Sequence, residues 1–151
     1  VTYWPQAFLG LTFNFGALMG WAAVTESLSE AAFLLYLGGL CWTIGYDTIY
    51  AHQDKEDDAL IGVKSTALIF KEHSKALVGV FYGAATLCFS GAVFTLGHIW
   101  VAVAVIIVAG GHLLYQLVRW DSDDQESCLA VFKSNRNFGL LLLALLFAAS
   151  L

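Results

Sequence analysis

The sequence predicts an all-α fold, a polytopic bundle of transmembrane helices in which five spans are visible. Of the 151 residues, 59% are hydrophobic and 13% are charged, whereas ordinary soluble domains carry about 45–50% apolar and about 25% charged residues. The hydrophobic residues form long continuous segments rather than an alternating pattern. Because a bilayer admits only helices or closed barrels as spanning structures, continuous segments indicate helices.

The predicted spans form a single transmembrane domain fragment. They cover about 4–24, 31–50, 76–96, 99–119 and 138–151. The first four have close to the roughly 20 apolar residues that cross a bilayer. Pro5 suits the first turn of the first span, where its missing N–H costs nothing. The last span is short or truncated, and the chain opens at Val1 without a signal peptide, as if cut from a longer protein.

The basic residues predict the orientation of the spans. The connections Thr25–Glu30 and Gly97–His98 contain no Lys or Arg. All seven basic residues lie in or beside the loops 51–75 and 120–137, and they are Lys55, Lys64, Lys71, Lys75, Arg119, Lys133 and Arg136. Under the positive-inside rule these two loops face the cytoplasm or the mitochondrial matrix. An integral protein of a bacterial or mitochondrial inner membrane is therefore predicted.

The net charge and the cysteines exclude other classes. A net charge of −5 argues against a nucleic-acid partner, since neutralising phosphates needs clustered Lys and Arg. Cys41, Cys88 and Cys128 have no CxxC spacing, so neither a disulfide framework nor a zinc site is predicted. No P-loop or Rossmann pattern is present.

An acidic stretch at the end of the second span is the most informative feature of the chain. Asp47 lies inside an apolar segment, and an ionisable residue there marks a functional site by default. Asp54 follows two helical turns later and Asp58 one turn after that, so a continuous helix aligns the three carboxylates on one face. Like charges at this spacing repel unless a cation lies between them, and carboxylates suit Mg²⁺. Lys64 follows as a point charge for a phosphate. A solvated acidic loop that caps the helix remains the alternative.

The residues around this stretch resemble a known family. GYDTIYAHQDKEDDALIGVKSTA is similar to the second aspartate-rich motif of the UbiA family of intramembrane prenyltransferases, D-x-x-Y-A-x-x-D-x-x-x-D followed by G-x-K-S. WPQAFLGLTFNFGALMGWAA and ESCLAVFKSNRNFG look like the family's fifth span and the approach to its last span. The family's first motif, N-D-x-x-D-x-x-x-D, has no counterpart, because no Asn-Asp pair occurs here. The resemblance thus implies the C-terminal half of a roughly nine-span enzyme.

Within that family the segments look most like the 4-hydroxybenzoate polyprenyltransferases of ubiquinone biosynthesis. The resemblance implies transfer of a polyprenyl chain from polyprenyl diphosphate to the ring of 4-hydroxybenzoate, ortho to its hydroxyl, within the lipid bilayer. It implies that Asp54 and Asp58 bind Mg²⁺ and the diphosphate and that Asp47 is a third catalytic residue. Tyr50 and Lys64 are then substrate-binding residues. The fragment alone is expected to be inactive, since half of the metal site is absent.

Other interpretations stay open on the sequence. The acceptor could be homogentisate, a menaquinone precursor or haem, or the chain could be a non-enzymatic, cation-binding membrane subunit. Interior hydrogen bonding is favoured over catalysis for His112, Asn14 and Gln6. The acidic residues after the fourth span lack one-turn spacing and are interpreted as a solvated loop; they are Asp121, Asp123 and Asp124. Asn135 and Arg136 receive no role.

Overall fold

The structure, a computed structural model, describes residues 3–53 and 65–149. Within these ranges the secondary structure is helical, and five helical segments are long and apolar enough to cross a membrane. They are Pro5–Thr25, Glu30–Ala51, Ser74–Thr95, Ile99–Arg119 and Gln125–Ala148. The predicted fold class, an all-α bundle of candidate membrane-spanning helices, is therefore confirmed. The first four segments begin and end within two residues of the predicted spans.

The first span consists of two helices, α1 (Pro5–Phe13) and α2 (Phe15–Thr25), which meet at Asn14. The Asn14 side chain explains the break, because its Nδ2 donates to the carbonyl of Gly10 at 2.8 Å and to Thr43 Oγ1 at 2.9 Å. This bond to the next span satisfies a polar group at membrane depth. The expected structural role of Asn14 agrees with these contacts.

Helix α3 (Glu30–Ala51) is the centre of the bundle. It begins at Ser29, whose side chain accepts a hydrogen bond from the Ala32 N–H and caps the helix. Two of its glycines admit close neighbours: a Cβ on Gly39 would collide with the side chain of Asn14, and one on Gly45 would lie 2.5 Å from the ring of Tyr82. Small residues therefore bring the adjacent helices against α3.

The chain returns from residue 65 through a short helix, α4 (Thr66–Phe70), and a 3₁₀ turn at Lys71–His73. Helix α5 (Ser74–Thr95) then packs antiparallel to α3. A turn with Gly97 at a φ of 88° leads into the fourth span. Such a positive φ is readily accessible to glycine because glycine has no Cβ.

The fourth span is not a uniform α-helix. Helix α6 (Ile99–Ala104) passes into a π-helical segment, Val105–Gly110, before helix α7 (Gly111–Arg119). A Cβ on Gly110 would lie 2.9 Å from the side chain of Thr86 on α5, so this segment lies close against its neighbour.

The fifth helix, α8, covers Gln125–Ala148, and the expectation of a loop over 120–137 is wrong for its residues 125–137, which are helical. Asp124 starts the helix early, because its carboxylate accepts from the Glu126 N–H at 3.0 Å. The buried residues recur every three or four positions and are Cys128, Val131, Asn135, Phe138 and Leu142. A search for continuous apolar runs overlooks such a helix, since only one of its faces is apolar.

Candidate active site

Two of the five predicted site residues, Asp47 and Tyr50, lie on the last two turns of α3. Asp54, Asp58 and Lys64, which carry the predicted metal and diphosphate contacts, lie outside the described residues. Asp47 is half-buried, and no group in the described part of the chain hydrogen-bonds to its carboxylate. A carboxylate inside an apolar span is costly without a partner, so Asp47 is chemically suited to a ligand.

Two buried oxygen atoms flank the stretch 54–64. Gln53 Oε1 and Ser65 Oγ have no hydrogen-bond partner among residues 3–53 and 65–149. Buried polar atoms are normally satisfied, so these two oxygens are free to accept a ligand. Amide, hydroxyl and carboxylate oxygens are the hard donors that Mg²⁺ prefers. The donor set at this end of α3 therefore fits magnesium.

A complete metal site needs the residues of the stretch 54–64 as well. In the described ranges no three His, Cys, Asp or Glu side chains are grouped so that they could hold a metal ion. Among the described residues the motif presents one carboxylate, that of Asp47, and Asp54 and Asp58 stay predicted ligands. The acidic cluster predicted after the fourth span is consistent with local capping, because Asp121 Oδ1 accepts from the Asp123 N–H at 3.1 Å.

A buried chain of hydrogen bonds anchors the polypeptide on both sides of the stretch 54–64. Thr48 Oγ1 lies 2.6 Å from Thr66 Oγ1, and the Thr66 N–H donates to Gln6 Oε1 at 3.2 Å. These bonds join α1, α3 and α4. Gln6 thus has the structural role that the sequence favours, and the C-terminal end of α3 is held against the start of α4.

Beside the acidic end of α3 lies an open groove of about 700 Å³ between α3 and α8. Its aromatic wall comes from Trp42 and Tyr46 on α3 and from Phe132 on α8. The ring centroids of Trp42 and Tyr46 are 5.3 Å apart, and those of Tyr46 and Phe132 are 5.8 Å apart. The groove therefore offers flat aromatic surfaces in edge-on and tilted arrangements, typical of favourable ring packing.

Tyr50 connects this groove to the acidic motif. Its ring centroid lies 4.7 Å from that of Phe132, and it follows Tyr46 by one helical turn. Asp47 is three positions before Tyr50, so the two side chains are neighbours on the helix surface. The predicted substrate-binding residue thus lies where the aromatic groove meets the half-buried carboxylate.

The other edge of the groove is basic. Lys133 and Arg136 line it from α8, and their spacing of three residues places them on the same face of the helix. Both side chains are exposed. Among the described residues no carboxylate forms an ion pair with either one. Two cations therefore border an aromatic wall without local neutralisation.

A buried polar network supports the groove from behind. Trp42 Nε1 donates to Asn135 Oδ1 at 2.8 Å, which joins α3 to α8. Deeper in the bundle, the Tyr82 hydroxyl donates to Gln116 Oε1 at 2.9 Å, and Gln116 Nε2 donates to Ser134 Oγ at 2.8 Å. These bonds connect four helices. They hold the indole ring of Trp42 in place, and the indole N–H already has its hydrogen-bond acceptor.

Sequence reasoning assigned no role to Asn135 and Arg136 and did not single out Lys133. The sequence does contain a pattern that could have identified them. Lys133 and Arg136 are three residues apart, and Asn135 falls on the buried face of the helix. Because residues 125–137 were expected to be a loop, that spacing carried no geometric meaning. For His112 the sequence predicted interior hydrogen bonding. The structure differs at one atom, because His112 Nε2 is buried and has no hydrogen-bond partner among the described residues.

The helical bundle and the acidic motif together indicate a class of polytopic membrane proteins. The chain belongs to the UbiA prenyltransferase family, whose profile matches residues 1–150. The resemblance carried by the aspartate motif is thereby confirmed.

Similar curated proteins include enzymes named mitochondrial 4-hydroxybenzoate polyprenyltransferase. The chain is 49% identical to the one from Rattus norvegicus over 147 residues, 48% to that of Mus musculus over 143, and 45% to that of Homo sapiens over 142. The matches cover 93–94% of this chain. The chain spans 38% of the length of these relatives. No solved structure matches it.

Proposed function

We propose that this chain is the C-terminal part of a prenyltransferase that moves a polyprenyl group from polyprenyl diphosphate to 4-hydroxybenzoate, in ubiquinone biosynthesis. One observation carries the proposal: an intact acidic motif lies within a chain that is 49% identical, over 94% of its length, to a relative of that name. The half-buried carboxylate of Asp47 and the aromatic groove beside it support the same reading.

Asp54 and Asp58 are the residues that would hold Mg²⁺ beside the diphosphate. A magnesium ion held there would neutralise the negative charge that develops on the diphosphate as its bond to the prenyl carbon breaks. Asp47 precedes Asp54 by seven residues and Asp58 by eleven, and it is proposed to present a third carboxylate to the same region. Lys64 is proposed to add a positive point charge against the phosphate.

The aromatic side chains have a different task. Phe132 lines the groove at the acidic end of α3 and Tyr50 lies beside it, and with substrate bound their rings are proposed to limit the access of water to the reactive carbon. The polyprenyl tail needs no deep protein pocket, since it dissolves in the bilayer around the helices. Phe8, Phe13 and Phe15 are 62%, 73% and 51% exposed on the first span, which suits contact with lipid or with the tail.

The two basic loop regions are proposed to face the matrix or the cytoplasm, at the inner membrane, as the positive-inside rule requires. The acidic motif and the basic edge of the groove then lie at the same membrane surface. Charged substrates would reach both from the aqueous side, while the tail enters from the lipid.

The test is an acceptor panel with the full-length enzyme in proteoliposomes that contain a polyprenyl diphosphate and Mg²⁺. We expect prenylation of 4-hydroxybenzoate and little or none of homogentisate, a menaquinone precursor or haem. Turnover of one of the others without 4-hydroxybenzoate would replace the proposed acceptor. Retained cation binding with no product from any acceptor would favour a non-enzymatic membrane subunit.

A further inference from the structure

We propose that the basic edge of the groove, Arg136 assisted by Lys133, is the site that binds the carboxylate of the aromatic acceptor. This inference rests on the proposed function, because it concerns the acceptor of that reaction. It assigns a role to two residues of α8 that lie outside the acidic motif.

The groove has the composition of a small-molecule site. Small-molecule sites are mostly apolar, have volumes of about 300–1,000 Å³ and contain a few placed polar groups. The groove has about 700 Å³, three aromatic rings, one buried Asn and two cations. A benzoate has one flat ring and one carboxylate at opposite sides, so its two parts match the aromatic wall and the basic edge.

The charges around the groove favour an anion at its basic edge. A carboxylate that enters a low-dielectric site loses its hydration and is costly unless a cation pairs with it. Arg136 has a planar guanidinium whose donors match both carboxylate oxygens, whereas Lys133 adds a point charge. Neither is neutralised by a carboxylate among the described residues. The acidic end of α3 repels an anion, so the basic edge is the preferred position for the acceptor's carboxylate.

The positions of Phe132 and Arg136 determine the orientation of a bound aromatic acid. Phe132 lies between the two regions, since it contacts the rings of both Tyr46 and Tyr50. Arg136 follows Phe132 by one helical turn on α8. A ring held against Phe132 with its carboxylate on Arg136 therefore points its opposite side, which carries the hydroxyl, towards Tyr50 and Asp47. That arrangement brings the ring carbon beside the hydroxyl to the end of the groove where the diphosphate is proposed to bind.

A diphosphate is the competing occupant of the same cations. It carries more negative charge than two exposed side chains neutralise, and it has no ring to use the aromatic wall. The indole N–H of Trp42 already donates to Asn135. Trp42 therefore presents the face of its ring to a ligand and has no free N–H for a phosphate oxygen. The groove therefore fits an aromatic acid better than a diphosphate.

The experiment compares the substitution Arg136→Gln with the wild type in the full-length enzyme, at saturating polyprenyl diphosphate. The acceptors are 4-hydroxybenzoate and its uncharged analogue 4-hydroxybenzamide. We expect kcat/KM for the acid to fall by about 10- to 100-fold, the range for loss of a charged hydrogen bond, while kcat/KM for the amide changes little. Arg136→Lys should recover part of the loss, and Lys133→Gln should give a smaller effect of the same kind.

Arg119→Gln is the matched control, because Arg119 is an exposed basic residue at the end of α7 and does not line the groove. It should leave the acid-to-amide ratio unchanged. An unchanged ratio in both Arg136→Gln and Lys133→Gln overturns the proposal. So does an effect confined to the KM for polyprenyl diphosphate, which would make the groove a diphosphate site.

A separate readout distinguishes failure of this inference from failure of the proposed function. If the wild type does not prenylate 4-hydroxybenzoate, the proposed function is wrong. Equilibrium binding of radiolabelled 4-hydroxybenzoate to the purified full-length protein then tests whether the groove binds an aromatic acid. Binding that Arg136→Gln removes and Arg119→Gln retains supports the inference. Equal binding in both variants, or none in the wild type, overturns it.

Discussion

At the residue scale, Asp47 shows how a single side chain carries information about function. It is half-buried on an apolar helix, where an ionised carboxylate costs about 2.5–3.5 kcal/mol at the centre of a bilayer. The described residues do not offset this cost with a hydrogen bond. The unmatched oxygens of Gln53 and Ser65 lie further along the same chain segment. These oxygen atoms are consistent with the proposed magnesium site at the stretch 54–64.

The substitutions Asp54→Ala and Asp58→Ala test the predicted metal ligands. Each should lower kcat/KM by about two orders of magnitude or more, which is the effect of removing one charge-stabilising group from an active site. The physical reason is that the diphosphate leaving group loses part of its neutralisation. Prenyl transfer is measured against Mg²⁺ concentration, and membrane insertion is checked by carbonate extraction.

Asp121→Ala is the control for these variants, since Asp121 belongs to an exposed acidic cluster beside a predicted loop. It should retain wild-type transfer and Mg²⁺ dependence. Full activity in both Asp54→Ala and Asp58→Ala would refute the assignment of the acidic motif as the metal site.

At the scale of the elements, close helix contacts occur at glycines that a simple motif search does not select. The pairs Gly16-x-x-x-Gly20 and Gly79-x-x-x-Gly83 have small-xxx-small spacing. No described atom lies within 4 Å of a Cβ built on Gly16, Gly20 or Gly83, and only Gly79 of the four has a neighbour, Leu117 Cδ2 at 3.1 Å. On Gly45, by contrast, such a Cβ would lie 2.5 Å from the ring of Tyr82. Spacing alone does not say which glycine faces a helix.

The substitution Gly45→Ala is expected to destabilise the bundle by about 1–3 kcal/mol, the usual cost of overpacking. The added methyl group must displace the buried Tyr82, which also donates to Gln116. The free energy of unfolding is measured by titration with SDS in mixed micelles.

Gly83→Ala on the facing helix α5 is the matched control. It makes the same chemical change in open space and should be neutral or stabilising by up to about 1 kcal/mol, because alanine favours helix over glycine. Equal stability of the two variants would mean that the α3–α5 contact at Gly45 is not as close as described.

At the scale of the whole molecule, one buried tryptophan joins the loop ends of several helices. Trp120 is 2% exposed at the end of α7. Its ring lies 5.0 Å from that of His52 after α3, its Nε1 donates to Cys128 Sγ on α8, and its carbonyl accepts from Lys75 Nζ on α5. Trp120, which lies just after the fourth span, therefore packs between the ends of these helices and holds them together.

Trp120→Ala is expected to lower the free energy of unfolding by about 3–5 kcal/mol, as for other buried large-to-small substitutions. The reason is the cavity left among four helix ends. Trp100→Ala provides the comparison, since Trp100 is 84% exposed and its loss leaves no internal cavity. Thermal unfolding in detergent micelles measures both, and equal loss in the two variants would contradict the assigned role of Trp120.

The local pattern of residues was enough to predict the class of fold, the family and the acidic motif. A continuous apolar run in a bilayer forms a helix. The predicted bounds of four spans therefore lie within two residues of those in the structure. The acidic motif is likewise local: Asp47, Asp54 and Asp58 follow one another along a single segment, so their spacing is visible without any tertiary contact.

Contacts between distant segments were decided by the tertiary structure alone. The amphipathic start of α8 has no continuous apolar run. It buries Cys128, Val131 and Asn135 only because other helices, α3 and α7 among them, supply the opposite side. The groove joins Trp42 to Asn135 across 93 positions of sequence. Composition and spacing describe the properties of one segment, whereas a cavity forms between two surfaces. A role for Lys133 and Arg136 could therefore be inferred only once the opposite, aromatic wall of the groove was known.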